Sequence, residues 1–259
     1  MEAAYGFMQR LLEYPVRECG EPLGCLPEAA REAGVEIVFA SGKKIGMFDC
    51  VFWVRESLVD KLLRVGEAFL RRGYVLRIED AYRTPETQTR GARSEYVIRS
   101  VLEKVRWELD GRAPTAEFVL RRLAVWTATT LKFANHTSGS AVDVTVLHRD
   151  GATLDLGGTY PQLSHLTAMA SPFVSPDVRG NREMLCELFA EEGFLPYPFE
   201  FWHFSHGDAD CEMIAGAGRP GRFGPVYWRE GGGPPRPAED ILKPLVTVED
   251  IAPYLAEQG

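Results

Sequence analysis

The sequence predicts an α+β fold in which helices are inserted between antiparallel strands. Three stretches carry that prediction. Tyr74-Val75-Leu76-Arg77-Ile78-Glu79-Asp80 alternates as a strand does, with Tyr74, Leu76 and Ile78 on the buried face. Val142 to Leu147 is β-branched and leads into Arg149-Asp150-Gly151, a hairpin-turn signal. Leu58, Val59, Leu62, Leu63, Val65, Phe69 and Leu70 recur at helical spacing. With Ser57 as cap and Gly73 as stop, they predict a helix over about 58–72.

The remaining elements follow in chain order. Residues 1 to 34 show no sustained period and carry turn signals at Pro22, Gly24, Pro27 and Gly34. Ile37-Val38-Phe39 and the run from Met47 to Trp53 flank Ser41-Gly42-Lys43-Lys44, which reads as two antiparallel strands joined by a short loop. Thr84-Pro85 disfavours a regular continuation of the strand that ends at Asp80. Residues 86 to 132 read as two helical pieces. Val97, Ile98, Val101, Leu102 and Val105 stripe the first, and Phe118, Val119, Leu120, Leu123 and Val125 the second. Residues 157 to 180 read as loop, after which Asn181 is expected to cap a helix that Gly193 closes. Gly216 to Pro237 is an ordered wrap or a linker, with Pro225 to Trp228 as its apolar anchor. A short helix over about 247–257, headed by Thr247 and Asp250, ends the chain. The expectation is one domain over 1–259, with a motif-bearing core over about 36–210 and a wrap and tail over about 211–259.

Composition narrows the function classes. The chain has 259 residues, 45% hydrophobic and 25% charged, and a net charge of -8. That charge argues against a nucleic-acid partner, which needs a clustered positive surface. No basic region followed by an apolar core opens the chain, and no apolar run approaches about 18 residues, so neither a secretory signal nor a membrane span is expected. Cys19, Cys25, Cys50, Cys186 and Cys211 are odd in number and form no Cys-x-x-Cys pair. Reduced structural thiols in a cytoplasmic protein are expected.

The chemistry concentrates in two pieces. Between Phe133 and Val146, His136 and Asp143 stand seven residues apart around Gly139. Further on, Glu200-Phe201-Trp202-His203 adds a second imidazole and a spare carboxylate. A catalytic zinc takes three protein ligands and keeps one position open; His136, Asp143 and His203 satisfy that count. Gly139 and Ala141 let the chain turn close to an ion, and a charge on an apolar strand needs a partner. Residues three apart on a regular strand face opposite ways. For Glu200 and His203 to serve one ion, the backbone must turn at Phe201 or Glu200 must sit on the loop before the strand. Pro196 and Pro198 favour the loop. Glu200 is then the natural general base, taking a proton from a metal-bound water and returning it to a leaving amine. Arg83, at the end of a buried strand, is placed to stabilise an oxyanion. Asp80, Tyr82, Trp202 and His206 are further candidates for lining the pocket or orienting these groups, whereas His148 and His165 read as ordinary turn and loop residues.

His136-x-x-Gly139-x-Ala141-Val142-Asp143, Glu200-x-Trp202-His203 and Tyr82-Arg83 together resemble the D-alanyl-D-alanine dipeptidase family, VanX-type zinc metallopeptidases related to D,D-carboxypeptidases. The resemblance implies a central antiparallel sheet flanked by helices, with a single zinc in a cleft. It implies one zinc per chain on His136, Asp143 and His203, Glu200 as base, and Arg83 as the arginine that stabilises the transition state. The implied reaction is hydrolysis of D-Ala-D-Ala or a similar short D-configured dipeptide. Two alternatives stand beside it. One is a D,D-carboxypeptidase trimming longer wall peptides. The other is a non-catalytic zinc module like hedgehog-type domains, against which Glu200 and Arg83 count. The family usually has Ser where this chain has Ala134, which bears on substrate contacts rather than on the metal. A small dipeptide is the expected partner, and no oligomeric state is specified.

Overall fold

A computed structural model describes residues 1–41, 43–44 and 48–256 of the chain. Its centre is a sheet assembled from widely separated segments. Helices α1 (Glu2–Glu13) and α2 (Leu26–Ala33) occupy the N-terminal stretch that shows no period in the sequence. Only Met8 and Leu11 are buried on α1, too few to read as a stripe. Next come β1 (Leu23–Cys25), β2 (Ile37–Phe39), the short pair β3 (Lys43–Lys44) and β4 (Phe48–Asp49), and β5 (Trp53–Arg55), which pairs with β1.

The expected hairpin between Ile37–Phe39 and the run from Met47 to Trp53 does not form. Strand β2 instead lies parallel to β6 (Tyr74–Asp80), while the second run is divided between β4 and β5. Gly42 and Met47, which belong to that expectation, lie outside the described residues. The two runs stay neighbours through Phe39 and Phe52, whose rings sit 5.2 Å apart. A helical crossover permits the parallel pairing: α3 (Glu56–Arg71) connects the two strands and buries Leu58, Val59, Leu62, Leu63, Val65 and Phe69. Ser57 lies inside its first turn and donates its backbone N–H to the Glu21 carboxylate at 2.8 Å, so Arg55 takes the capping position.

The sheet continues through β7 (Ala141–His148), β8 (Leu195–Pro196) and β9 (His203–Ser205) in the order β2-β6-β7-β9-β8. Every pair except β2–β6 is antiparallel, so the central sheet is mixed rather than purely antiparallel. Asp80 stands opposite Asp143 across β6 and β7, and Asp143 stands opposite His203 across β7 and β9. An irregularity between Ile78 and Asp80 re-aims the end of β6.

Residues 86 to 132 form three helices rather than two: α4 (Pro85–Ala92), α5 (Glu95–Glu108) and α6 (Ala116–Trp126). The hydroxyls of Thr84, Ser94 and Thr115 cap them by accepting from Thr87, Val97 and Phe118. Helices α5 and α6 enclose a second core with Leu245, Val246 and Ile251. Helix α7 (Pro176–Ala190) begins before Asn181, because Ser175 caps it and Pro176 fits its first turn. It packs with α3 on the sheet, where Phe189 stacks on Phe204 at 4.1 Å. After α8 (Ala209–Ile214), the wrap forms β10 (Val226–Tyr227) and β11 (Arg236–Pro237), and α9 (Val248–Ala256) follows. The last residue of the expected tail helix, Glu257, lies outside the described residues. The five cysteines are free, and among the described residues no helix is long and apolar enough to cross a membrane.

Arg182 on α7 organises the segment after β7. Only 2% exposed, it donates to the carbonyls of Leu156, Leu166, Ala168 and Met169. These bonds hold the loop that carries Tyr160. Replacing it with methionine leaves buried carbonyls unpaired at about 1–3 kcal/mol each. Arg182→Met is expected to lower stability by roughly 3 kcal/mol or more. Denaturant unfolding measures this, and an unchanged midpoint would show the bonds to be dispensable.

Candidate metal centre and cleft

His136 lies in a 3-10 turn (Asn135–Ser138), Asp143 on β7 and His203 at the start of β9. All three are buried, and one ligand atom from each lies within 4.8 Å of the others. Gly139 makes the turn possible. Its φ is 68°, and a Cβ there would meet the Leu23 side chain at 3.1 Å. Its carbonyl accepts from the Arg55 N–H at 2.8 Å, which fixes the turn against β5.

The hydrogen-bond roles at His136 test whether an ion fits. Ala81 O can only accept, so Nδ1 of His136 donates to it, at 2.6 Å. Burial, reinforced by the charge of Arg83, pushes the ring's pKa down to about 4 and keeps it neutral. Nε2 is therefore a lone pair, and it faces Asp143 Oδ1 at 3.1 Å. Two acceptors in contact repel unless a cation lies between them. On the other side, His203 Nδ1 meets the same oxygen at 3.0 Å. Tetrahedral bonds of about 2.0–2.1 Å put ligand atoms roughly 3.3 Å apart, close to these separations. The donor set fits a metal ion. Burial opposes a charge on His203, but the Asp143 hydrogen bond and carboxylate outweigh it and raise the ring's pKa.

The other oxygen of Asp143 is also engaged. Arg83 Nη2 and the Tyr160 hydroxyl both donate to Oδ2 at 3.1 Å. Arg83 is held further by Nε to Asp80 Oδ2 at 2.6 Å and by Nη1 to Gln88 Oε1 at 3.2 Å. Burial works against its charge, yet Asp80 and Asp143 raise its pKa further. Burial and the same two carboxylates push the Tyr160 hydroxyl well above its ordinary range, so it remains a donor. The Arg83 backbone N–H donates to His136 O at 3.1 Å, which ties the end of β6 to the metal-site turn.

Glu200 occupies the loop before β9, and the backbone turns at Phe201 between it and His203, so both arrangements that the spacing allows are present. Its N–H donates to Tyr197 O, and its carbonyl accepts from His203 N–H, so two successive turns replace the strand there. Glu200, Trp202, Arg83 and the three ligand residues line one cleft, which has about 830 Å³ of empty space, part of it open to solvent. Ala134 lines it too. Helices α4, α5 and α6 contribute Gln88, Val97 and Trp126 to its wall.

The weaker candidates divide. Asp80 orients Arg83, and Trp202 packs edge-on against Tyr160 at 5.4 Å. Tyr82 turns to the wrap: its hydroxyl donates to Val226 O at 3.0 Å and accepts from Trp228 N–H at 2.9 Å. His206 packs against Phe194 at 5.3 Å and against Gly193, and is not among the residues that line the cleft. Sequence reasoning missed Tyr160, Asn135 and Asp210, which also line the cleft. Tyr160 and Asp210 stand in a loop and a short helix without a readable period; Asn135 adjoins His136, and that adjacency was its one available signal.

A family model described as D-ala-D-ala dipeptidase matches residues 54–215, which include Arg83, all three ligand residues and Glu200. A D-alanyl-D-alanine dipeptidase of Synechocystis is 25% identical over 231 residues, spanning 76% of this chain and 86% of its own length. The Escherichia coli protein of the same name is 31% identical over 71 residues, 27% of this chain and 37% of that protein. Among solved structures, the vancomycin-resistance D,D-pentapeptidase VanY in complex with Zn(II) aligns over 72% of this chain and 95% of its own, with 16% identity and a TM-score of 0.37.

If the three groups share one ion, losing the central carboxylate removes it. Asp143→Ala is expected to reduce the metal retained after dialysis by roughly tenfold or more. Atomic absorption on the dialysed protein measures this, and full retention would separate Asp143 from the metal.

Proposed function

The chain belongs to the D-ala-D-ala dipeptidase family of peptidases, and from that premise we propose that it is a zinc-dependent dipeptidase. Its substrate in this reading is D-Ala-D-Ala or a similar short D-configured dipeptide. The observation that carries the reading is Asp143 Oδ1 shared by two imidazole nitrogens, one of them an unprotonated lone pair.

His136 Nε2, Asp143 Oδ1 and His203 Nδ1 would hold one zinc ion. When bound, zinc supplies a Lewis acid that polarises a carbonyl and acidifies water. The protein's own groups do the rest. Glu200 takes a proton from the attacking water and delivers it to the departing amine nitrogen. Its place in a turn, rather than on the strand, lets it face the same space as His203. Arg83, which lines the cleft, presents its guanidinium to the oxygen that gains charge on the attacked carbonyl, and Asp80 fixes its Nε. Tyr160, by donating to Asp143 Oδ2, keeps that carboxylate from rotating away from the imidazoles.

Several features support a short substrate. Residues of α4, α5 and α6 wall the cleft on one side, and Met8 of α1 lines it as well. Met8 also supports reading the whole chain as one domain. Five free cysteines suit a reducing cytoplasm, where a free dipeptide is within reach. Ala134 presents a methyl group to the cleft, so side-chain preference is where this protein differs from a serine-bearing relative.

Zinc-loaded protein is expected to hydrolyse D-Ala-D-Ala faster than a pentapeptide ending in the same two residues. Glu200→Ala should keep the metal and lose activity by about 10²–10⁴-fold, and Arg83→Ala should lower kcat by about 10²–10³-fold. A screen of D,D-, L,D- and L,L-dipeptides measures the first. Zinc-bound protein inactive on all of them would overturn the proposal, and a preference for the pentapeptide would assign a carboxypeptidase instead.

A further inference from the structure

Two donors meet on one oxygen of Asp143, and only one of them, Arg83, takes part in the hydrolysis proposed above. Arg83 Nη2 and the Tyr160 hydroxyl each lie 3.1 Å from Oδ2, and both side chains line the cleft. The carboxylate they share offers its other oxygen to both imidazoles. The phenol therefore stands beside the candidate metal site and beside the guanidinium.

Tyr160 is fixed at both ends. Its ring packs edge-on against Trp202 at 5.4 Å, and Trp202 is buried. The segment that carries it is joined to the segment that carries Glu200 and His203. Phe201 N–H donates to Thr167 O at 3.0 Å. The Arg182 guanidinium lies 4.4 Å from the centre of the Phe201 ring and donates to the carbonyls of Leu156 and Leu166. Gly158 comes so close to Phe201 that a Cβ there would meet its Cε1 at 3.2 Å. Glu200, His203 and Tyr160 thus share one support, which suits groups that act on the same bond.

Arg83 is a crowded donor. Its Nε serves Asp80, Nη1 serves Gln88 and Nη2 serves Asp143. Sites that hold an oxyanion aim more than one donor at the oxygen that gains charge. A hydroxyl can turn its O–H about the C–O bond to a new acceptor without moving the ring. Nη2 carries two hydrogens, so Arg83 can keep one on Oδ2 when the phenol turns away.

We propose that Tyr160 is a further catalytic residue, whose hydroxyl donates beside Arg83 to the oxygen that gains charge on the attacked carbonyl. The inference rests on the dipeptidase reading and deepens it. The phenol keeps its proton throughout, and only its acceptor changes, from Asp143 Oδ2 to the substrate oxygen. A carbonyl oxygen accepts more weakly than the same oxygen carrying charge, so the bond favours the transition state over the bound substrate. Tyr160 therefore acts on kcat rather than on KM.

Tyr160→Phe keeps the ring against Trp202 and removes the hydroxyl alone. With zinc-loaded protein and D-Ala-D-Ala, kcat is expected to fall by about 10²-fold, with KM within about twofold and zinc content unchanged. Calorimetric titration with the phosphinate analogue of D-Ala-D-Ala, tetrahedral and anionic at the attacked centre, gives a second readout. The variant should bind it more weakly by about the factor lost in kcat. Zinc lost in step with activity would make Tyr160 a prop of Asp143 and overturn the proposal. An unchanged kcat, a change confined to KM, or equal binding of the analogue would overturn it as well. Tyr160→Leu gives the same readouts should the phenylalanine variant fail to fold. If unaltered protein hydrolyses no dipeptide, the dipeptidase reading falls, and the analogue decides Tyr160 alone. Weaker binding to the variant then upholds its role, and equal binding or none overturns it.

Discussion

The arrangement depends on one buried carboxylate. A charge on an interior strand is tolerated only if its lone pairs are occupied, and four side chains converge on Asp143, with the His136 lone pair calling for a cation at Oδ1. Two imidazole nitrogens share Oδ1, while a guanidinium and a phenol share Oδ2. These partners come from the turn before β7, the start of β9, the end of β6 and the loop after β7. The sheet order follows from the same need, since β7 must lie between β6 and β9 for all of them to reach.

That constraint explains the cross-strand pair of carboxylates. Like charges directly opposite in a sheet repel, yet Asp80 faces Asp143 across β6 and β7. Arg83 lies between them and bonds both. The irregularity after Ile78 and the proline that follows Thr84 let the chain bend, so that a residue three positions beyond Asp80 can return to it. The guanidinium is thereby pre-oriented by a fixed anion instead of by its own flexible stem.

How much of this was legible in the sequence depended on range. The candidate metal-holding trio was readable because His136, Gly139 and Asp143 sit in one short stretch, and because His203 and Glu200 share another. The helix that became α3 and the strand β6 carried strong local periods. The parallel placement of β2 was hidden, because its partner lies beyond a whole helix and the local pattern imitates a hairpin. Helix α1 buries too few residues to show a stripe. The start of α7 was set by Ser175 and Pro176 within a loop-like stretch, and Asn181 drew the reading to the wrong cap. Tyr160 and Asp210 reach the cleft through tertiary position alone, so no spacing announced them.

The contact of Tyr82 with Val226 and Trp228 has a consequence for the order in which the molecule is built. All three ligand residues and Glu200 precede residue 210, so a chain emerging from the ribosome carries them well before its last fifth appears. Domains fold as units during synthesis, N-terminal parts first. Tyr82, the neighbour of Arg83, nonetheless waits for a backbone segment beyond residue 225 to take up its hydroxyl. A nascent chain can therefore gather the donors for a metal before the residue next to the arginine is fastened. The finished site is completed from the C-terminal end.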